Sequence, residues 1–135
     1  MNDEILPEHA ALLRHLRGIR YIVINIEEGG RFDLSKQAQD LYLELSGISY
    51  SLEPQSDRDS QNKFGSRVIV DNNYWYCNYI DRDDPVLINI VRKLGSDANT
   101  VNSTLKIVEI PYDVQWFIDE YDGREWVAEQ HRTWS

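Results

Sequence analysis

Ile118-Asp119-Glu120-Tyr121-Asp122-Gly123-Arg124-Glu125-Trp126-Val127 carries the clearest structural signal in the chain. Two runs rich in aromatic and β-branched residues flank an Asp-Gly pair. A two-residue hairpin loop needs positive φ at both central positions, which Asp-Gly supplies. The reading fixes a register as well as a turn: Tyr121 faces Arg124, Asp119 faces Trp126, and Ile118 faces Val127. The predicted hairpin runs from Val114 to Tyr121 and from Arg124 to Trp134. A further strand over Thr104 to Ile110 precedes it and stops at Pro111.

Towards the N-terminus, Arg20-Tyr21-Ile22-Val23-Ile24-Asn25-Ile26 reads as a buried strand, ended by Glu27-Glu28-Gly29-Gly30. A helix follows, with Asp33 or Ser35 as N-cap, Leu34, Ala38, Leu41 and Leu45 on one face, and Gly47 as its stop. Ile48 to Leu52 reads as a short strand, and polar residues 53–66 as a flexible loop. Arg67 to Asp71 and Tyr74 to Ile80 read as strands joined through Asn72-Asn73. Asp84 caps a helix with Pro85 at its first position, a stripe of Leu87, Ile90, Val91 and Leu94, and Gly95 at its end. Another helix is expected from Pro7 to Arg17. The sum is one α/β or α+β domain over residues 1–135, with a mixed, mostly antiparallel sheet, about three helices and a C-terminal β-hairpin.

The chain has 135 residues, 23 acidic and 14 basic, for a formal net charge of −9. Such a field opposes broad contact with nucleic acid or an anionic membrane. Residues 104–135 alone hold seven acids against three bases, but acids outnumber bases in every third of the chain. A single cysteine, Cys77, precludes an internal disulfide and a four-cysteine zinc site. His9, His15 and His131 share no ligand spacing. No apolar run approaches the roughly 20 residues that span a bilayer, and the acidic N-terminus is unlike a signal peptide. These features predict a cytoplasmic protein with no metal, cofactor or membrane contact.

Several constellations carry chemistry. Glu27-Glu28-Gly29-Gly30-Arg31 stands between a strand and a helix, where Gly29 and Gly30 could offer backbone N–H groups to an anion. It lacks the lysine of a P-loop and the third glycine of a dinucleotide fingerprint, so an ordinary glycine turn competes with that reading. Asp81-Arg82-Asp83-Asp84 could bind magnesium, although acids ahead of a helix are favoured by its dipole alone. Cys77 has no nearby cation and reads as an inert buried thiol. No serine stands in a nucleophile elbow, and no catalytic residue is assigned. Ten of the 14 basic residues are arginine, a fork suited to carboxylate and phosphate. Trp116, Phe117, Tyr121, Trp126 and Trp134 give the C-terminal stretch more aromatic surface than one strand pair needs. That surface suits a core, a homo-oligomer interface, or a pocket in which a ring stacks on a base while Arg124 and Arg132 hold phosphates.

Tyr21-Ile22-Val23-Ile24-Asn25 with Gly29-Gly30 and Leu34-Ser35 forms part of a longer pattern. Arg82-Asp83-Asp84-Pro85, Leu94-Gly95, Ala98-Asn99 and Leu105-Lys106-Ile107-Val108-Glu109-Ile110-Pro111 continue it. Glu120-Tyr121-Asp122-Gly123, Glu125-Trp126-Val127-Ala128-Glu129 and His131-Arg132-Thr133-Trp134 complete it. The pattern resembles a family of small, largely uncharacterised proteins from tailed phages and some giant viruses. It covers most of residues 20–135, and departs from that family at Glu27-Glu28, Arg31 and the loop at 53–66. The resemblance implies an origin: a viral accessory protein acting on host defence or takeover, in the host cytoplasm.

Three functions compete on these grounds. The first is a non-enzymatic, homo-oligomeric protein that sequesters a small nucleotide-like host immune signal. Its expected ligand-binding residues are Gly29, Gly30, Arg31, Arg82, Arg124, Trp126, His131 and Arg132. The second is an acidic inhibitor of a host nucleic-acid-binding or defence protein. The third is a nucleotide hydrolase using Asp81, Asp83 and a divalent ion.

Overall fold

A computed structural model describes residues 18–53 and 67–130. The helix expected from Pro7 to Arg17, nearly all of the loop at 53–66, and the hairpin beyond residue 130 lie outside the described residues. In chain order the elements are β1 (Ile19–Asn25), α1 (Lys36–Leu45), β2 (Ser51–Leu52), β3 (Val68–Val70), β4 (Asn73–Trp75), α2 (Pro85–Leu94), β5 (Leu105–Pro111), β6 (Trp116–Tyr121) and β7 (Arg124–Glu129). Single 3₁₀ turns cover Cys77–Tyr79 and Gly95–Ala98.

The fold is α+β, and every strand pairing among the described residues is antiparallel. In place of one mixed sheet there are three small ones, β1–β5, β2–β3–β4 and β6–β7. The described residues form two α-helices, where about three were expected. No described helix is long and apolar enough to cross a membrane.

The C-terminal hairpin follows its sequence closely. Asp122 and Gly123 take φ of 49° and 83°, and Tyr121, Asp119 and Ile118 pair with Arg124, Trp126 and Val127. The earlier hairpin turns one residue sooner than predicted. Asp71 and Asn72, at φ 51° and 65°, form its loop, and Asn73 already pairs with Val70. The second strand of that pair is also cut short at Trp75. Residues 77–79 wind into a 3₁₀ turn in which the Ile80 N–H donates to the Cys77 carbonyl.

Both helices begin as their caps dictate. Ser35 accepts from the Ala38 N–H, and Asp84 Oδ1 accepts from the N–H groups of Val86 and Leu87. Leu87, Ile88, Ile90 and Val91 turn the inner face of α2 into the core, and Gly95 at φ 55° ends it. In α1 the expected Leu45 is exposed, because it occupies the last helical position, past the core. Tyr42 is buried in the stripe instead. Its ring stacks 6.0 Å from Trp75 and its hydroxyl donates to Asp84 Oδ2 at 2.7 Å, so burial leaves no orphaned polar atom. One carboxylate thereby starts α2 and ties it to α1. Asp84→Ala removes both functions and is expected to cost about 2 kcal/mol, read by urea unfolding.

Candidate functional site

The glycine turn between β1 and α1 is built for close backbone approach. The Gly29 N–H donates to the Asp122 carbonyl at 2.6 Å, the Gly30 N–H to the Glu27 carbonyl at 3.1 Å, and the Arg31 N–H to the Asn102 carbonyl at 2.9 Å. These amides are satisfied within the chain, so the anion cradle expected of Gly29 and Gly30 is closed by the hairpin turn seated on it. A Cβ on Gly30 would overlap the Asn102 carbonyl, and a Cβ on Gly123 would overlap the backbone of Gly30. Two glycine turns, remote in sequence, lie backbone to backbone.

Asn25, fully buried at the end of β1, holds this junction together. Its Nδ2 donates to the carbonyls of Gly123 (2.9 Å) and Glu27 (3.2 Å). Its Oδ1 accepts from the N–H groups of Glu27 (3.0 Å) and Thr104 (2.9 Å). Four hydrogen bonds thus fill the amide's two donor and two acceptor sites. Beside it, Arg82 forms a two-armed pair with Glu125, Nη1 to Oε1 at 2.7 Å and Nη2 to Oε2 at 3.0 Å. The Arg82 guanidinium also lies 3.7 Å from the centre of the Phe32 ring. This geometry spends Arg82 on the fold, so it does not supply the free phosphate clamp expected of it.

Two open cavities flank β7. A cleft of about 530 Å³ has Ile24, Ile26, Val108 and Val127 among its walls, with Trp126, Tyr121, Arg124 and Lys106 around them. A larger one, about 760 Å³, is lined by residues that include Gly30, Arg31, Arg82, Tyr76 and Tyr79. Glu125 contributes to both. The structure therefore divides the expected site: Arg124 and Trp126 border the first cavity, and Gly30, Arg31 and Arg82 the second. Gly29 lines neither, and His131 and Arg132 lie outside the described residues.

Charge and exposure distinguish the cleft. Trp126 is 42% exposed and Tyr121 76% exposed. Among the described residues the ion pairs are Lys36–Asp40 and Arg82–Glu125, which leaves Arg124, Lys106 and Arg31 without a carboxylate at ion-pair distance. With Glu28 also on the wall, an apolar floor, an exposed indole and two cations without a carboxylate at ion-pair distance suit a planar ring carrying an anionic group.

Tyr76 and Tyr79, at the rim of the larger cavity, went unrecognised as site residues. Their rings meet edge to face at 5.6 Å. A strand reading puts positions three apart on opposite faces, whereas a 3₁₀ turn brings i and i+3 into line. The three-residue spacing of the two tyrosines is the signal that favours the turn.

Cys77, in the same 3₁₀ turn, is buried with its Sγ 3.5 Å from Asp33 Oδ1. Burial pushes its thiol up to about 11, and the neighbouring carboxylate acts in the same direction. Compared with the unfolded chain, the folded protein then holds roughly 100-fold less thiolate at pH 8. Alkylation by iodoacetamide is expected to slow at least that much and to recover in urea. The folded pKa exceeds the unfolded one, so this stabilisation is complete below about pH 9 and is lost as pH rises towards 11. Tyr42, raised by burial and by Asp84, adds to the same alkaline loss.

Asp81 and Asp83 do not converge on an ion site. Among the described residues no group of three or more His, Cys, Asp or Glu side chains is placed to hold a metal. Asp84 is already engaged by Tyr42 and the first turn of α2. Compared with protein-family models, curated proteins and solved structures, the chain finds no match.

Proposed function

We propose that the protein is a non-enzymatic viral accessory protein that sequesters a small nucleotide-like signal of host immunity. The cleft at Trp126 is its binding site. The observation that carries this reading is the exposed indole of Trp126 beside Arg124 and Lys106, two cations without a carboxylate partner among the described residues, over an apolar floor. Trp126 stacks on the base while Arg124 and Lys106 meet the phosphates; the viral origin implied by the sequence pattern supplies the biological setting. The reading includes a homo-oligomer in the host cytoplasm, for which the exposed Phe117 of β6, outside the cleft, is a natural contact.

Calorimetry against a panel of cyclic nucleotides and cyclic ADP-ribose isomers tests the proposal. At least one ligand is expected to bind in the micromolar range, and Trp126→Ala to weaken it roughly 10- to 100-fold. Absence of any affinity tighter than about 1 mM across the panel overturns it.

A further inference from the structure

β7 lies against β1, yet no ladder joins them: among the described residues β1 pairs only with β5, and β7 only with β6. An unpaired strand edge ordinarily meets a neighbouring strand through its amides and carbonyls. Here the Asn25 N–H, on the β7 side of β1, donates instead to Glu125 Oε1 at 2.8 Å. The same oxygen accepts from Arg82 Nη1, and the other carboxylate oxygen from Nη2. Arg82 is itself fixed to β1, its backbone carbonyl accepting the Val23 N–H at 2.8 Å and its Nη1 reaching the Val23 carbonyl at 3.3 Å. A side-chain carboxylate thus stands where a strand ladder would run.

The consequence falls on the cleft. Ile24 and Ile26, at the β1 end of the seam, form part of one wall, and Arg124, Trp126 and Val127 of β7 form part of another. Glu125 lies between Arg124 and Trp126 in sequence; it borders the cleft as well, but its carboxylate is turned to Arg82 and the Asn25 N–H. Its length and charge set how far those residues stand from β1. Arg124 and Trp126 meet a ligand directly; Glu125 and Arg82 act through them. The geometry points to the Arg82–Glu125 pair as the positioning element that sets the width of the cleft, with affinity depending on the pair although neither residue need touch the ligand. This rests on the function proposed above, but its structural half is measurable without any ligand.

Glu125→Asp keeps the charge and shortens the reach by one methylene; Glu125→Gln keeps the reach and removes the charge-assisted second arm. Each variant is labelled with 5-fluorotryptophan, and the Trp126 fluorine resonance is assigned through Trp126→Phe. Amide exchange at Asn25 and Gly29 is followed in the same samples, and thermal unfolding confirms that the variant is folded. In folded Glu125→Asp the Trp126 signal is expected to shift while that of Trp75 holds. Exchange at Asn25 should quicken at least tenfold, and affinity for any panel ligand bound by the unaltered protein should fall about tenfold. Glu125→Gln is expected to lie between it and the unaltered protein. An unchanged Trp126 resonance with unchanged Asn25 exchange in both folded variants overturns the assignment. Should no panel ligand bind the unaltered protein, the proposed function fails, while fluorine and exchange data still decide the positioning role.

Discussion

Gly123→Ala is expected to remove roughly 3–5 kcal/mol of stability, enough to leave a small domain partly unfolded. Two causes add. Gly123 sits at φ 83°, a region that opposes any Cβ, and its new methyl would overlap the Gly30 backbone. Relief requires lifting the hairpin turn away from the glycine turn. That movement breaks the Gly29-to-Asp122 and Asn25-to-Gly123 hydrogen bonds as well. Gly47→Ala is the control, because Gly47 has φ 67° with open space where its Cβ would go. It is expected to cost only about 1 kcal/mol. Urea unfolding of both variants separates dihedral strain from the contact; equal losses would show that the hairpin turn is not seated on Gly30.

Asn25→Leu is expected to cost about 4 kcal/mol, since at a fully buried point it orphans the N–H groups of Glu27 and Thr104 and the Gly123 carbonyl, while the Glu27 carbonyl keeps the Gly30 N–H. Asn25→Asp tests the same site by charge. The new carboxylate keeps both acceptor bonds but turns its second oxygen towards the carbonyls of Gly123 and Glu27, where the amide donated. Only the protonated form restores one donor. Its folded pKa is therefore raised, so the variant's deficit should be large at pH 7 and shrink on acidification towards pH 4. A deficit independent of pH would contradict the assigned amide orientation.

Local rules were legible where one residue type could answer a local demand. Asp122-Gly123, Asp84-Pro85 and Gly95 each meet a backbone requirement that few others satisfy, and the structure places all three as read. The turn at 71–73 was misplaced because Asp71, Asn72 and Asn73 all tolerate positive φ, so composition did not choose among them. The 3₁₀ turn at 77–79 was hidden by its tyrosines, which favour a strand in isolation. The candidate site was legible only in part. Trp126 and Arg124 were visible as an aromatic and a cation on one strand. The fate of Arg82 depended on Glu125, 43 residues away, and nothing local to Arg82 revealed that partner. The closing of the glycine turn was hidden for the same reason.

The meeting of Asn25 with Glu125, 100 residues apart, also bears on how the protein is made. Closing a loop of that length costs about 4 kcal/mol of chain entropy before any contact across it is rewarded. The β6–β7 hairpin is local and can form early, but its seat on β1 is among the most distant contacts in the chain. Folding is then expected to end with the docking of a preformed hairpin, a slow step relative to hairpin formation itself. On the ribosome, the Asn25 N–H must wait for its partner until residue 125 has emerged. Among the described residues, the cleft is then expected to form late.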